Sequence, residues 1–209
     1  MRMPTMATVL LATTNAGKRA EFQSLLPPDL QVVGLDAVGV TLPTETGTTF
    51  ALNAAAKATH AAAESGLVTL ADDSGLEVLA LGGAPGVRSA RYAGEHATDA
   101  ANRAALLAAL AGTGDEAREA RFVCVVVIAD GSGVLAQAEG LCEGRIARRE
   151  QGRFGFGYDR LFLLPDGRTM AELPPVEKNR ISHRAAAYRA IVPRLLDRLL
   201  VPSPPDETG

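Results

Sequence analysis

Two periods of apolar and polar residues alternate along this chain, and the alternation predicts its elements. Thr8 to Thr14 (TVLLATT) is a β-branched and apolar run, the pattern of a buried strand. Asn15-Ala16-Gly17 turns the chain. Lys18 to Leu26 then carries Phe22, Leu25 and Leu26 on one helical face, and Pro27-Pro28 stops it. Leu30 to Leu35 reads as a second strand, so the opening is strand–turn–helix–strand, as in an α/β protein. Leu42 to Gly47 is a loop. Thr48 or Thr49 caps a long Ala-rich helix that runs to Ser65 and ends at Gly66. On that helix Asn53 and Lys57 are four residues apart and share a face.

Val68 to Ala71 predicts a third strand that ends at Asp72-Asp73, with Leu76 to Leu81 extended beyond it. Gly82 to Gly86 is loop by composition, and Thr98 caps a helix ending near Leu110. Arg121 to Ala129 (RFVCVVVIA) is a near-continuous run of β-formers, a central strand. Asp130-Gly131-Ser132-Gly133 is a tight turn, and Val134 to Cys142 returns as the partner. This hairpin makes the sheet mixed. Gly152 to Arg160 is a loop of glycines and aromatics, Leu161 to Leu164 a short strand, and Pro165-Asp166-Gly167 its end. The last helix starts near Ser182 and runs to Leu200, with Pro193 expected to kink or shorten it. Residues 1–200 read as one domain of mixed α/β type. The tail 201–209 is Pro-rich and polar and is expected to be disordered.

Composition narrows the chemistry. Apolar residues make up 47% of the 209, but aromatics only 4% with no Trp, so the core is built from Ala, Val and Leu. A net charge of −3 and no basic stripe argue against nucleic acid as a partner. No apolar run approaches a membrane span, so no membrane association is expected. The N-terminus lacks the pattern of a signal peptide, which makes the cytoplasm the expected location. Of the two cysteines, Cys124 sits in an apolar strand and reads as a small buried hydrophobe.

Four sets of residues carry polar groups that a core would not choose. Thr13-Thr14-Asn15-Ala16-Gly17-Lys18 joins a strand to a helix, and helix-start amides with a nearby Lys suit phosphates, although a plain helix cap explains the same residues. Glu45, Asp72 and Asp73 are three acids on two segments, the donor type that Mg2+ takes together with phosphate oxygens. Asp72-Asp73-Ser74-Gly75 taken alone also reads as a solvated turn. Phe154-Gly155-Phe156-Gly157-Tyr158-Asp159 can offer a ring face to a nucleobase and an acceptor to its N–H edge, or can be a glycine turn with Phe in the core. Glu177 to Arg184 (EKNRISHR) clusters donors at a helix start, where solvated charge is the ordinary reading.

In this order the motifs resemble the inosine triphosphate pyrophosphatase family, bacterial type. The matching stretches are TTNAGK (Thr13 to Lys18), ETGTTFALNAAAKA (Glu45 to Ala58), ADDSGLEV (Ala71 to Val78), GGAPGVRSARYAG (Gly82 to Gly94), FGFGYD and EKNRISHR. They span nearly the whole chain except the tail. The resemblance implies a mixed α/β fold with an elongated central sheet flanked by helices, two lobes with a cleft between them, and a homodimer. It implies Mg2+-dependent cleavage of ITP, dITP and XTP to the nucleoside monophosphate and pyrophosphate.

The resemblance also implies residue roles. Thr13, Thr14, Asn15, Ala16, Gly17 and Lys18 would bind the triphosphate, with Lys57 assisting. Glu45 and Asp73 would hold Mg2+, Asp73 would accept the proton of the attacking water, and Asp72 would be a supporting or alternate ligand. Ser74 would touch the substrate. Phe156, with Gly157 and Tyr158 beside it, would stack on the base, and Asp159 would face its N–H edge. Lys178, His183 and Arg184 would read its carbonyl oxygens.

Two positions depart from the family pattern. Thr14 stands where Gly is common, which narrows backbone freedom near the phosphates. Arg160 stands where Pro is common and is expected to change the loop's rigidity or add a donor near the cleft. The rival readings are a Maf-like pyrophosphatase acting on dTTP or modified pyrimidines, and a nucleotide sensor without turnover. The SHR and FGYD motifs oppose the first, and the intact set of acids opposes the second.

Overall fold

The computed structural model describes residues 7–200, and the tail 201–209 lies outside them. The β-formers assemble into one six-stranded sheet in the order β2-β1-β3-β4-β5-β6. Strand β1 (Thr8–Leu11) is parallel to β2 (Gln31–Gly34) and to β3 (Thr69–Val78). Strand β3 pairs antiparallel with β4 (Glu119–Asp130), β4 with β5 (Gly133–Ile146), and β5 with β6 (Phe162–Leu163). The expected mixed sheet and its long hairpin are both present. Asp130 Oδ1 closes the hairpin turn by accepting from the Ser132 amide at 2.8 Å.

Among the described residues six α-helices flank the sheet: α1 (Ala16–Leu25), α2 (Leu35–Val38), α3 (Phe50–Ser65), α4 (Asp99–Ala109), α5 (Pro175–Ile181) and α6 (His183–Leu200). Their starts follow the capping residues. Asn15, Thr49 and Thr98 each accept a backbone N–H from the first turn, and Gly66 closes α3 in the left-handed conformation. Helices α1 and α6 cover one face, where Phe22, Tyr188, Ile191 and Leu195 pack on Val9, Leu11, Leu70, Val126 and Ile128. Helix α3 covers the other face with Phe50, Ala54, Ala58, Ala61 and Ala62 against Leu10, Ala71, Val123 and Val125. At the far end of the sheet a third cluster joins Leu76, Phe122 and Ile146 to Leu106 of α4 and to Tyr158, Phe162 and Met170. The core is made largely of Ala, Val and Leu, with Phe at the helix contacts.

Two local expectations are corrected. Strand β3 does not end at Ala71; it runs unbroken through Asp72-Asp73-Ser74-Gly75 to Val78, each residue paired with β4. The acids and the Ser-Gly pair read as a turn locally, but partners from distant helices satisfy the carboxylates, so the ladder continues. Pro193 does not shorten α6, which continues to Leu200. It removes one helical donor, yet Ile191 and Leu195 on either side are fully buried, and that packing holds the helix.

Candidate active site

The unbroken course of β3 decides the geometry of the site. Successive side chains of a strand point to opposite faces. Asp72 and Ser74 therefore face α1 and α6, whereas Asp73 faces α3. Asp72 is buried with Lys18 Nζ at 3.0 Å and Arg184 Nε at 3.6 Å from its Oδ2. Cys124 Sγ lies 3.8 Å from the same oxygen, and burial pushes its thiol pKa up. Burial of Asp72 works to raise its pKa, but attraction to Lys18, Arg184 and Lys57 prevails and holds the carboxyl well below the usual range.

Asp73 has a different setting. Its Oδ2 accepts from Asn53 Nδ2 at 2.9 Å, and Lys57 Nζ is 3.9 Å from Oδ1. Asn53 and Lys57 are the two polar residues that share the inner face of α3. Lys57 also contacts Glu45 Oε1 at 2.5 Å, so its ammonium sits between the two carboxylates. Asn53 Oδ1 in turn accepts from the Gly47 amide at 2.8 Å, which fastens the loop that carries Glu45. Burial raises the Asp73 pKa; Lys57 and Lys18 oppose that, Glu45 adds to it, and the net direction is upward. Glu45 and Asp73 thus face a common point from two segments. Asp72 is not there. Among the described residues no group of three or more His, Cys, Asp or Glu is placed to hold a metal ion, and Asp72, named as a supporting or alternate ligand, faces Lys18 and Arg184 instead.

On the Asp72 side a cavity of about 100 Å³ opens between α1, α4, α6 and the loop 152–160. That is room for several waters, since one needs about 10–15 Å³ by this measure. Asn15, Lys18, Ser74, Phe156, Gly157, Tyr158, Asp159, Lys178, His183 and Arg184 all line it. Thr13, Thr14, Ala16 and Gly17 stand beside it at the entrance to α1. There Thr13 Oγ1 accepts from the Asn15 amide at 3.2 Å, and Asn15 Oδ1 from the Lys18 amide at 3.0 Å. Gly17 has a packing reason. A Cβ there would come within 2.6 Å of the Phe156 ring, so only glycine lets the ring lie against the helix entrance. Lys178 and Arg184 stand 4.8 and 5.7 Å from the same ring centroid.

Most of the polar groups around the cavity are already engaged. Lys178 binds Asp159, and Glu21 at 2.8 Å; Arg184 binds Glu21, and Ser74 Oγ at 2.9 Å. Tyr158 spends its hydroxyl on the Ser89 carbonyl at 2.9 Å. His183 stacks on Phe122 at 4.7 Å, and burial, reinforced by Arg184 and Lys178, keeps its ring neutral, with Nδ1 buried and without a hydrogen-bond partner. Gly140 of β5 makes room for this end of α6, because a Cβ there would collide with the His183 carbonyl and the Ala187 amide. Arg160 adds no donor to the cavity; it lies outside, 3.5 Å from Glu150.

Sequence reasoning missed Glu21 and Arg91. Glu21 is the carboxylate shared by Lys178 and Arg184, and those two cations hold its pKa down against burial. Its signal was a charge on the inward stripe of α1, between Lys18 and Phe22. Arg91 reaches the Glu45 carbonyl at 3.3 Å from a 3-10 segment, Gly86–Arg91, inside the stretch Gly82 to Gly94 that matches the family pattern but was given no role.

The chain resembles proteins of known name over nearly its whole length. The model of the Ham1 family matches residues 9–194. A dITP/XTP pyrophosphatase of Methylococcus capsulatus is 50% identical over 192 residues, 90% of this chain and 95% of its own. One from Haemophilus influenzae is 48% identical over 193 residues, 90% and 98% of the two chains. The solved HAM1 protein of Coxiella burnetii superposes with a TM-score of 0.84 at 44% identity, covering 92% of this chain and all of its own.

Proposed function

The chain belongs to the Ham1 family, and on that premise we propose that it hydrolyses dITP, XTP and ITP to the nucleoside monophosphate and pyrophosphate. Such a reaction removes non-standard purine triphosphates before they enter DNA or RNA. The observation that carries the reading is the division of labour across β3, with a buried carboxylate of raised pKa on one face and a cavity walled by cations and an aromatic ring on the other.

The chemistry follows from the placement. Asp73 accepts the proton of the water that attacks the α-phosphorus, a role a raised carboxylate pKa favours by bringing it nearer the working pH. Asn53 fixes the orientation of that carboxylate. The entrance to α1 receives the phosphates on its free first-turn amides, and Lys18 offsets charge as pyrophosphate leaves. Phe156 stacks on the base. Lys178, Arg184 and His183 are the donors for a carbonyl at C6, where adenine has an amino group. A site built for one pattern leaves groups unpaired against the other and loses orders of magnitude in rate.

Charge balance calls for a cation. Lys18, Lys57, Arg91, Lys178 and Arg184 each already face a carboxylate, so the negative charge of a triphosphate is largely uncompensated. Glu45 and Asp73 would hold Mg2+ where the two carboxylates meet, at the point the Lys57 ammonium reaches in this structure. Two carboxylates plus phosphate oxygens are a common Mg2+ environment. When bound, the ion supplies Lewis-acid stabilisation of phosphate charge and lowers the pKa of a coordinated water.

In this reading the enzyme works in the cytoplasm as a homodimer, which sedimentation at micromolar concentration tests. Among the described residues no helix is long and apolar enough to cross a membrane. The functional test is product analysis: with dITP and Mg2+ the protein releases pyrophosphate, and ATP and GTP react far more slowly. Release of orthophosphate alone would refute cleavage between the α- and β-phosphates.

A further inference from the structure

Helix α4 was given no role in the chemistry above, yet Asp99 and Asn102 line the same cavity and the helix grips the loop that carries Phe156. The turn Phe156 to Asp159 is closed on itself. The Phe156 amide donates to Asp159 Oδ2 at 3.0 Å, and the Asp159 amide donates to the Phe156 carbonyl at 3.1 Å. Both polar groups of the Gly157 backbone go to α4 instead. The Gly157 amide donates to Asp99 Oδ2 at 2.7 Å, and Arg103 Nη1 donates to the Gly157 carbonyl at 2.8 Å. Asp99 and Arg103 are four residues apart and so share one helical face.

The grip extends to the base of the loop. Arg103 Nε donates to Glu150 Oε1 at 2.8 Å, Glu150 Oε2 lies 3.5 Å from Arg160 Nη1, and the Gln151 amide donates to the Arg160 carbonyl at 2.9 Å. One buried guanidinium therefore holds the loop at its tip and at its neck. Only a planar fork with several donors reaches both; a lysine ammonium at the same place would hold one. The tip needs such a hold, because Gly157 has a φ of +58° and glycine itself imposes little conformational preference. What the tip carries on either side is Phe156 and Asp159, both on the cavity wall.

We propose that Arg103 and Asp99 are positioning residues for nucleobase recognition, acting through the Gly157 backbone to set the Phe156 ring and the Asp159 carboxylate. The inference rests on reading the chain as a purine triphosphate pyrophosphatase. It also gives the departure at Arg160 a place: the loop neck is tied there by charge to Glu150 and through it to Arg103.

The test uses the full chain with Arg103→Gln, Arg103→Lys and Asp99→Ala, and two readouts. Hydrogen exchange without nucleotide reports the Gly157 amide. The ratio of kcat/KM for dITP to that for dATP reports base discrimination and is unaffected by loss of folded fraction. Exchange at Gly157 is expected to accelerate in all three variants, and the ratio to fall about tenfold, chiefly through KM for dITP, as misplacement of a contact group predicts. Arg103→Lys is expected not to rescue the ratio. Faster exchange with an unchanged ratio would overturn the proposal by making the clamp a matter of stability alone. Unchanged exchange would overturn it by removing the clamp. A wild type that turns over no purine triphosphate would instead refute the functional reading, and the nucleobase role with it.

Discussion

On the α1 and α6 face of β3, Asp72 is enclosed by Lys18 and Arg184 and is held ionised. On the α3 face, one residue along, Asp73 is almost as buried but shares its one close cation with a second carboxylate, and its pKa rises. The two side chains are chemically identical, so the difference is environmental. It teaches that burial alone does not set a carboxylate's role; the count of cations against carboxylates around it does. Adjacent acids pushed apart in this way are, in the proposed mechanism, a structural anion and a reactive base.

Mutation of each acid separates the two environments. The largest effect is expected at the proposed base: Asp73→Asn lowers pyrophosphate release from dITP by about 10³-fold, within the range for loss of a general base. A variant within tenfold of wild type would remove Asp73 from the chemistry. Next comes Asp72→Asn, which leaves Lys18 and Arg184 without their shared buried partner. Breaking such a pair costs about 3 kcal/mol, to be read from urea unfolding. A third variant probes the same face through packing. Gly140→Ala pushes on the α6 backbone at His183 and Ala187 and should cost about 1–3 kcal/mol. Its KM for dITP should rise as well, because that helix carries Arg184.

The smallest effect is in the acid range, and its sign differs between the two acids. The folded pKa of Asp72 is below its unfolded value. Its stabilisation is therefore complete above the ordinary carboxylate range and is lost as pH falls through the folded value. The folded pKa of Asp73 lies above its unfolded value. The folded state then binds the extra proton, and stability from this group is lost as pH rises through that window. Unfolding free energy measured from pH 2 to 6 should accordingly show a shallower acid limb in Asp72→Asn and a steeper one in Asp73→Asn.

Much of the fold was legible in local pattern. Strand β1, helices α1, α3 and α4 and the β4–β5 hairpin lie where caps, glycines and apolar periods put them. The middle of β3 was not legible, because the satisfaction of Asp72 and Asp73 comes from Lys18, Arg184, Asn53 and Lys57, at distances in sequence that no local window spans. The same limit applies to the site. Single motifs named residues that the fold gathers around β3 and one cavity, and Asn53 with Lys57 even showed their shared helical face. Their sorting onto two faces followed only once the strand was known to be continuous. Glu21, Arg91 and Arg103 escaped for the converse reason, since each is an ordinary charged residue until its tertiary partner is known.

The most direct test pairs the two neutral variants in one urea titration at pH 7. Asp72→Asn should unfold at a clearly lower denaturant concentration than wild type. Asp73→Asn should unfold no earlier than wild type, because it removes a carboxylate that the fold holds at a cost. If Asp73→Asn loses as much stability as Asp72→Asn, the two faces of β3 do not divide their labour as described.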